Sequence, residues 1–214
     1  MPTLRAAWTR HLDGQHQHPH GLLGRLVGAR MARQHAPETA WTIDRLALRP
    51  GDRILDLGCG MGRGLAQAMR RSPAGYGIGL DRSPTMARAA RRTTAPWRRA
   101  GQAAIVRGDL TALPLAPASL DKIYSIHTFY FWPDPVALFQ RLFALLAPGG
   151  ALMVTLSTGM QQPDGSWRLS PLQEKIEQQI LPILRQTPAA QVVWEAGPPS
   201  RQYNNWAVIM ERSV

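Results

Sequence analysis

A single cysteine, Cys59, among 214 residues excludes an internal disulfide and a thiolate-rich zinc cluster. Stability must come from packing. No run of about 18 apolar residues occurs, so no membrane-spanning helix is expected. The opening segment MPTLRAAWTRHLDGQHQHPH has no apolar stretch of signal-peptide length, and the expected compartment is the cytoplasm. Lysine is scarce: Lys122 and Lys175 are the only two among 25 basic residues. Acids are missing where arginine is dense. From Arg82 to Arg107 there are seven arginines and no Asp or Glu, and residues 1–107 hold 18 Arg against 6 acids, whereas residues 108–214 hold 7 basic and 8 acidic residues. That asymmetry carries the net charge of +11 and fits either an arginine-favouring genome or contact with a polyanion, nucleic acid or anionic lipid.

What is present is enough for one full-sized domain with its own core. Residues 1–49 read as an N-terminal helical arm or lid of that same domain, and residues 50–214 as its main body. In the arm, Leu22, Leu23, Leu26, Val27 and Met31 fall at helical spacing over Gly21–Ala36. Pro37 interrupts that pattern. A second helical stretch runs through Trp41, Ile43, Leu46 and Leu48 to the turn at Pro50-Gly51-Asp52. Beyond it, strands are predicted at Arg53–Leu57, Tyr76–Leu80, Ala103–Arg107, Lys122–Ile126, Ala151–Leu156, Val192–Glu195 and Trp206–Glu211. Helices are predicted at Gly62–Arg71, Pro84–Thr93, Pro135–Leu146 and Pro171–Gln186, several opened by Pro in the first turn. The alternation predicts an α/β fold, a Rossmann-like, doubly wound, mostly parallel seven-stranded sheet with helices on both faces, and a ligand crevice at the carboxyl ends of the strands. Ser157–Ser170 reads as a long loop at that end.

The strongest local signal is ILDLGCGMGRGL, Ile54 to Leu65. An apolar strand runs into Gly58, Cys59, Gly60 and Gly62, and a helix follows. Glycines let the backbone turn sharply and approach a ligand, and the helix start offers unpaired N–H groups. A nicotinamide dinucleotide site would place a third glycine where Arg63 stands, which disfavours a pyrophosphate. Roughly 20 residues on, Asp81 ends the next strand in YGIGLDRS, suited to a ribose diol or, alternatively, to capping the helix after it. Asp109, in IVRGDL, ends the strand after that, where a carboxylate and a backbone N–H can read an adenine.

Through DLGCGMG, GLDRS, GDL, DKIYSIHTFYFWPDP and LAPGGAL, about residues 50–156, the chain resembles class I S-adenosylmethionine-dependent methyltransferases, in particular the small-molecule group that includes ubiquinone- and menaquinone-pathway enzymes. The resemblance implies S-adenosylmethionine as cofactor and S-adenosylhomocysteine as product. It places Asp56 and the Gly58–Gly60–Gly62 loop, with Cys59, at the methionine moiety, and Asp81 at the ribose. Arg82 and Met86 would flank the adenine, Asp109 and Leu110 would bond it, and Ser125 and His127 would lie near the sulfonium. Met86 also fits a packing role.

Because the cofactor brings its own electrophile, a general base is optional. His127 is the best candidate, with packing or cofactor contact as its other reading. Tyr130 is expected either to orient the acceptor or to bury its ring. Trp132, Met160 and Trp167 point to an apolar or aromatic small-molecule acceptor. His11, His16, His18 and His20 have no regular ligand spacing, and no metal is expected there. Two alternatives remain beside the small-molecule enzyme: an RNA or ribosome-associated methyltransferase using the Arg-rich 82–107 face, and a non-catalytic cofactor-binding regulator. Peripheral contact with anionic lipid through the basic helices is a further partner class.

Overall fold

The computed structural model describes residues 34–110, 113–200 and 203–214. The helix expected over Gly21–Ala36 lies outside the described residues except for Gln34 to Ala36, as does the histidine-rich arm. Helix α1 (Ala36–Arg45) carries Pro37 in its first turn, where the missing N–H costs no hydrogen bond. The main body then alternates β1 (Arg53–Leu57), α2 (Arg63–Arg71), β2 (Tyr76–Asp81), α3 (Pro84–Thr93), α4 (Ala95–Arg99), β3 (Ala103–Arg107), β4 (Leu120–Ile126), α5 (Pro135–Leu145) and β5 (Leu146–Gln161). It closes with β6 (Trp167–Leu169), α6 (Pro171–Lys175), a π-helical turn (Ile176–Ile180), α7 (Leu181–Leu184), β7 (Ala190–Ser200) and β8 (Tyr203–Arg212).

Seven strands run in the order β3-β2-β1-β4-β5-β8-β7. The first five are parallel, and β8 is antiparallel to both neighbours. This is the expected doubly wound sheet, and the strand that reverses polarity is β8, which follows β7 with no helix between them. Alternation along the strands feeds two cores. Leu55, Leu57, Ile123, Leu152 and Val154 pack on one face with α5 and α7, while Ile54, Tyr124, Met153 and Ile209 pack on the other with α1 and α2. Strands covered on both faces read as nearly unbroken apolar runs, which is why their positions stand out in the sequence.

One expectation fails. Ser157–Ser170 is not a loop: β5 continues to Gln161, turns at Pro163–Ser166 and returns as an eighth strand, β6, with Met160 opposite Arg168. Asp164 caps the turn by accepting from the Ser166 N–H at 2.9 Å, and Gly165 takes the positive φ it needs. Among the described residues no helix is long and apolar enough to cross a membrane.

Helix α1 is fastened to the far half of the sheet. The Thr42 and Thr155 hydroxyls meet at 2.7 Å, the Arg45 Nε donates to Glu195 at 2.9 Å, and the Ser200 hydroxyl donates to Glu38 at 3.1 Å. Those bonds set the start of α1, His35 to Thr39, over the carboxyl ends of β1 and β4.

Candidate functional site

At those strand ends lies a cavity of about 910 Å³. Its floor is the β1–α2 turn. Gly58, Gly60 and Gly62 have φ of 79°, 52° and 75°, a left-handed run that residues with a Cβ adopt only under strain. The Gly58 and Cys59 N–H groups both donate to Leu80 O, at 2.8 and 2.9 Å, so the turn folds across the end of β2. There the Asp81 carboxylate accepts from the Gly60 N–H and the Ser83 N–H, both at 2.8 Å. Asp81 therefore joins the glycine turn to the start of α3. The helix cap proper is Ser83, whose hydroxyl accepts from the Met86 N–H.

Asp56 is almost fully buried in the cavity wall, 4% exposed. Burial pushes its carboxyl up to about 7, the adjacent Tyr124 hydroxyl opposes the shift, and the charge of Asp81 adds to it. Burial also raises Asp81, against the N–H groups of Ser83 and Gly60 that stabilise its charge. The cavity thus holds one acid, Asp56, that a cationic group entering it would ionise, with the Asp81 carboxylate beside it. The Cys59 thiol, buried beside them, is pushed well above its ordinary range and stays neutral.

The raised Asp56 fixes a sign. An unfolded Asp ionises near 3.8, so between about pH 4 and pH 7 the folded chain holds a proton that the unfolded chain has lost. Stability falls as pH rises through that window. Asp56→Asn is neutral throughout, and its melting temperature is expected to match the wild type at pH 4 and to exceed it at pH 8. Melting curves that stay parallel across the range contradict the assignment.

Around the rim, Arg82, Met86, Asp109 and Leu110 line the cavity, together with Gly58, Cys59, Gly60, Asp56, Asp81 and His127. Three expected residues do not line it. Gly62 is buried against Ala90 of α3, where a Cβ would stand 3.0 Å from the Ala90 backbone, so it serves helix packing. Ser125 is fully buried, its hydroxyl donating to Leu57 O at 2.9 Å and bonded to Thr128 Oγ1, so it fastens β4 to β1. Tyr130 turns its hydroxyl to the Ser157 backbone, accepting from the N–H at 2.6 Å and donating to the carbonyl at 3.0 Å. The aromatic positions also shift. Trp132 is buried against Phe129 and Phe139, and Trp167 stands exposed on β6, while Phe131, Pro133 and Ile126 supply the apolar wall.

The sequence reading missed His35, Glu38 and Thr39. His127 follows β4 with φ at +56°, a strained setting for a non-glycine residue and one that clusters at functional sites. Its Nε2 meets Glu38 Oε1 at 3.0 Å, and His35 Nδ1 meets the same oxygen at 2.5 Å. Burial alone would raise the Glu38 carboxyl, but the hydrogen bonds from His127 and His35 outweigh it and hold it at about 2. Burial lowers His127, with Glu38 opposing. The single available hint was His35 three residues before Glu38 at a helix start.

A family model described as "Methyltransferase domain" matches residues 54–150. Among curated proteins, the chain is 28% identical over 131 residues to an uncharacterized methyltransferase, YdaC, of Bacillus subtilis (strain 168), covering 61% of this chain and 70% of that one. It is 35% identical over 119 residues to a trans-aconitate 2-methyltransferase of Methylobacterium radiotolerans, covering 56% of this chain and 43% of that one. The chain spans 32% of a 37.1 kDa protein in transposon TN4556 of Streptomyces fradiae and 44% of a trans-aconitate 2-methyltransferase of Variovorax paradoxus, so it covers less than half the length of these relatives. A solved structure of a SAM-dependent methyltransferase from Aquifex aeolicus shares the fold, with a TM-score of 0.62 at 16% identity over 85% of this chain and 93% of that one.

Proposed function

The chain belongs to the class I S-adenosylmethionine-dependent methyltransferases, and on that premise we propose that it methylates a small, oxygen-bearing molecule with an apolar body. The observation that carries the proposal is one continuous cavity with two unlike walls. The glycine turn, Asp56, Asp81 and Asp109 form one, and Ile126, Phe131 and Pro133 with the His35 and His127 rings form the other.

The first wall fits S-adenosylmethionine. Asp56 would face the methionine ammonium, whose charge would ionise a carboxyl that burial otherwise keeps protonated up to about pH 7. Gly58 and Gly60 would let the methionine moiety approach the backbone, Asp81 would bind the ribose hydroxyls, and Arg82, Met86, Asp109 and Leu110 would enclose the adenine. When bound, the cofactor would supply a methyl group on a positively charged sulfur, which would pass to the acceptor as the sulfur leaves as a neutral thioether. What remains for the chain is to align the acceptor and keep water out. Phe131 and Pro133 would cover the acceptor's apolar part, and the polar His35 and His127 would meet its oxygen.

The competing acceptor is RNA held on the Arg-rich face. Several arginines in and around that face serve the fold: Arg91 donates to Ile105 O at 3.3 Å, Arg98 to Arg91 O at 3.3 Å, and the Arg70 guanidinium lies 5.8 Å from the Trp97 ring. That favours the small molecule. Radiolabelled S-adenosylmethionine, incubated with the protein and either a panel of small carboxylic acids and phenols or total RNA, separates the two. Label in the organic extract supports the proposal, and label in RNA alone overturns it.

A further inference from the structure

Glu38 is fully buried, and its second carboxylate oxygen, Oε2, has no hydrogen-bond partner among the described residues. Burying such an oxygen unsatisfied is costly. Around the same carboxylate, His35 Nδ1, Glu38 Oε1 and His127 Nε2 all lie within 4.8 Å of one another. Two of these residues stand one turn apart at the start of α1, and the third reaches them from the end of β4 on its strained backbone.

We propose that His35, Glu38 and His127 form a binding site for one divalent transition-metal ion of the zinc type, on the acceptor side of the cavity. Two imidazoles and one carboxylate are a donor set that suits zinc, and three protein ligands leave a coordination position open. Since His35 and His127 both line the cavity, that position faces the acceptor. The surroundings are those of a supported site. The Ser200 hydroxyl donates to Glu38 Oε1 at 3.1 Å and itself accepts from Asn205 Nδ2 at 3.3 Å, and the Tyr130 hydroxyl lies 3.3 Å from His127 Nδ1, the nitrogen left over for a supporting bond. This gives Tyr130 a role at one remove from the cavity. A metal here would hold an acceptor through its oxygen and favour that oxygen's deprotonated form, with the proton passing to solvent. This last step rests on the proposed function; metal binding itself does not.

The test uses the full chain, stripped with a chelator and titrated at pH 7.5 with Zn²⁺ against a chromophoric chelator and with Co²⁺ for its visible spectrum. One equivalent is expected to bind, with the absorption of four- or five-coordinate Co²⁺. His35→Asn and His127→Asn are each expected to weaken binding by on the order of 100-fold, since loss of a supporting group alone costs 10–100-fold. Changing His11, His16, His18 and His20 together to Asn leaves the site intact. His35 is part-exposed, so His35→Asn should fold even if His127→Asn does not. Equal binding by wild type and His35→Asn, or binding lost with the four N-terminal histidines, overturns the proposal and leaves the cluster as a hydrogen-bonded tie between α1 and β4. Titration of the metal-free protein with S-adenosylmethionine separates this failure from failure of the cofactor assignment.

Discussion

Asp81→Ala is expected to weaken S-adenosylmethionine binding by about 100-fold, roughly 3 kcal/mol. Two losses combine. The ribose hydroxyls would lose their acceptor, and the Gly60 and Ser83 N–H groups would lose the carboxylate that joins them. The second loss loosens the turn that shapes the floor, so the effect should exceed that of a single hydrogen bond. Asp81→Asn separates the terms: one amide oxygen can keep the Gly60 or the Ser83 bond but not both, and an intermediate loss is expected. Calorimetric titration measures both variants. Unchanged affinity in Asp81→Ala would place the nucleoside elsewhere.

Gly58→Ala is expected to destabilise the fold by roughly 3 kcal/mol and to abolish cofactor binding. The left-handed backbone at φ 79° costs a Cβ-bearing residue about 1–2 kcal/mol, and overpacking typically adds about 1–3 kcal/mol. The new Cβ would stand 2.2 Å from Thr128 Cγ2. That methyl cannot swing aside, because Trp132 Nε1 donates to Thr128 Oγ1 at 3.1 Å and Ser125 Oγ bonds the same oxygen. Gly60→Ala is the control: its Cβ would meet nothing within 4 Å, so only the backbone term of about 1 kcal/mol applies. Thr128→Ser removes the obstructing methyl and keeps the hydroxyl, so in the double variant the cost should fall by about 1–2 kcal/mol. Denaturant unfolding of the wild type, Gly58→Ala, Thr128→Ser and the double variant completes the cycle, with Gly60→Ala measured beside them; a Gly60→Ala cost equal to that of Gly58→Ala would contradict it.

The sheet was legible because its strands are covered on both faces, which writes them as apolar runs between glycine- and proline-marked turns. The β5–β6 hairpin was not, since Met160, Gln161, Trp167 and Leu169 are partly or well exposed and carry no core pattern; the Asp164-Gly165 turn was the available signal. In the site, Asp56, Gly58 and Gly60 at the end of β1, Asp81 at the end of β2 and Asp109 just beyond β3 could be placed along one crevice because parallel strands end on the same edge of the sheet, whereas Gly62 packs on α3 instead. Ser125 and Tyr130 were assigned by position in the chain, and their hydroxyls instead serve Leu57, Thr128 and Ser157. The His35–Glu38–His127 cluster is tertiary: Glu38 and His127 are 89 residues apart, and only the docking of α1 on β5 and β7 brings them together.

The central claim is that the strand-end cavity takes S-adenosylmethionine. Calorimetric titration of the wild-type protein with S-adenosylmethionine, S-adenosylhomocysteine and NAD tests it most directly. The account predicts micromolar-range, one-to-one binding of both sulfur nucleotides and none of NAD. Binding of NAD in their place, or of no nucleotide at all, would contradict it.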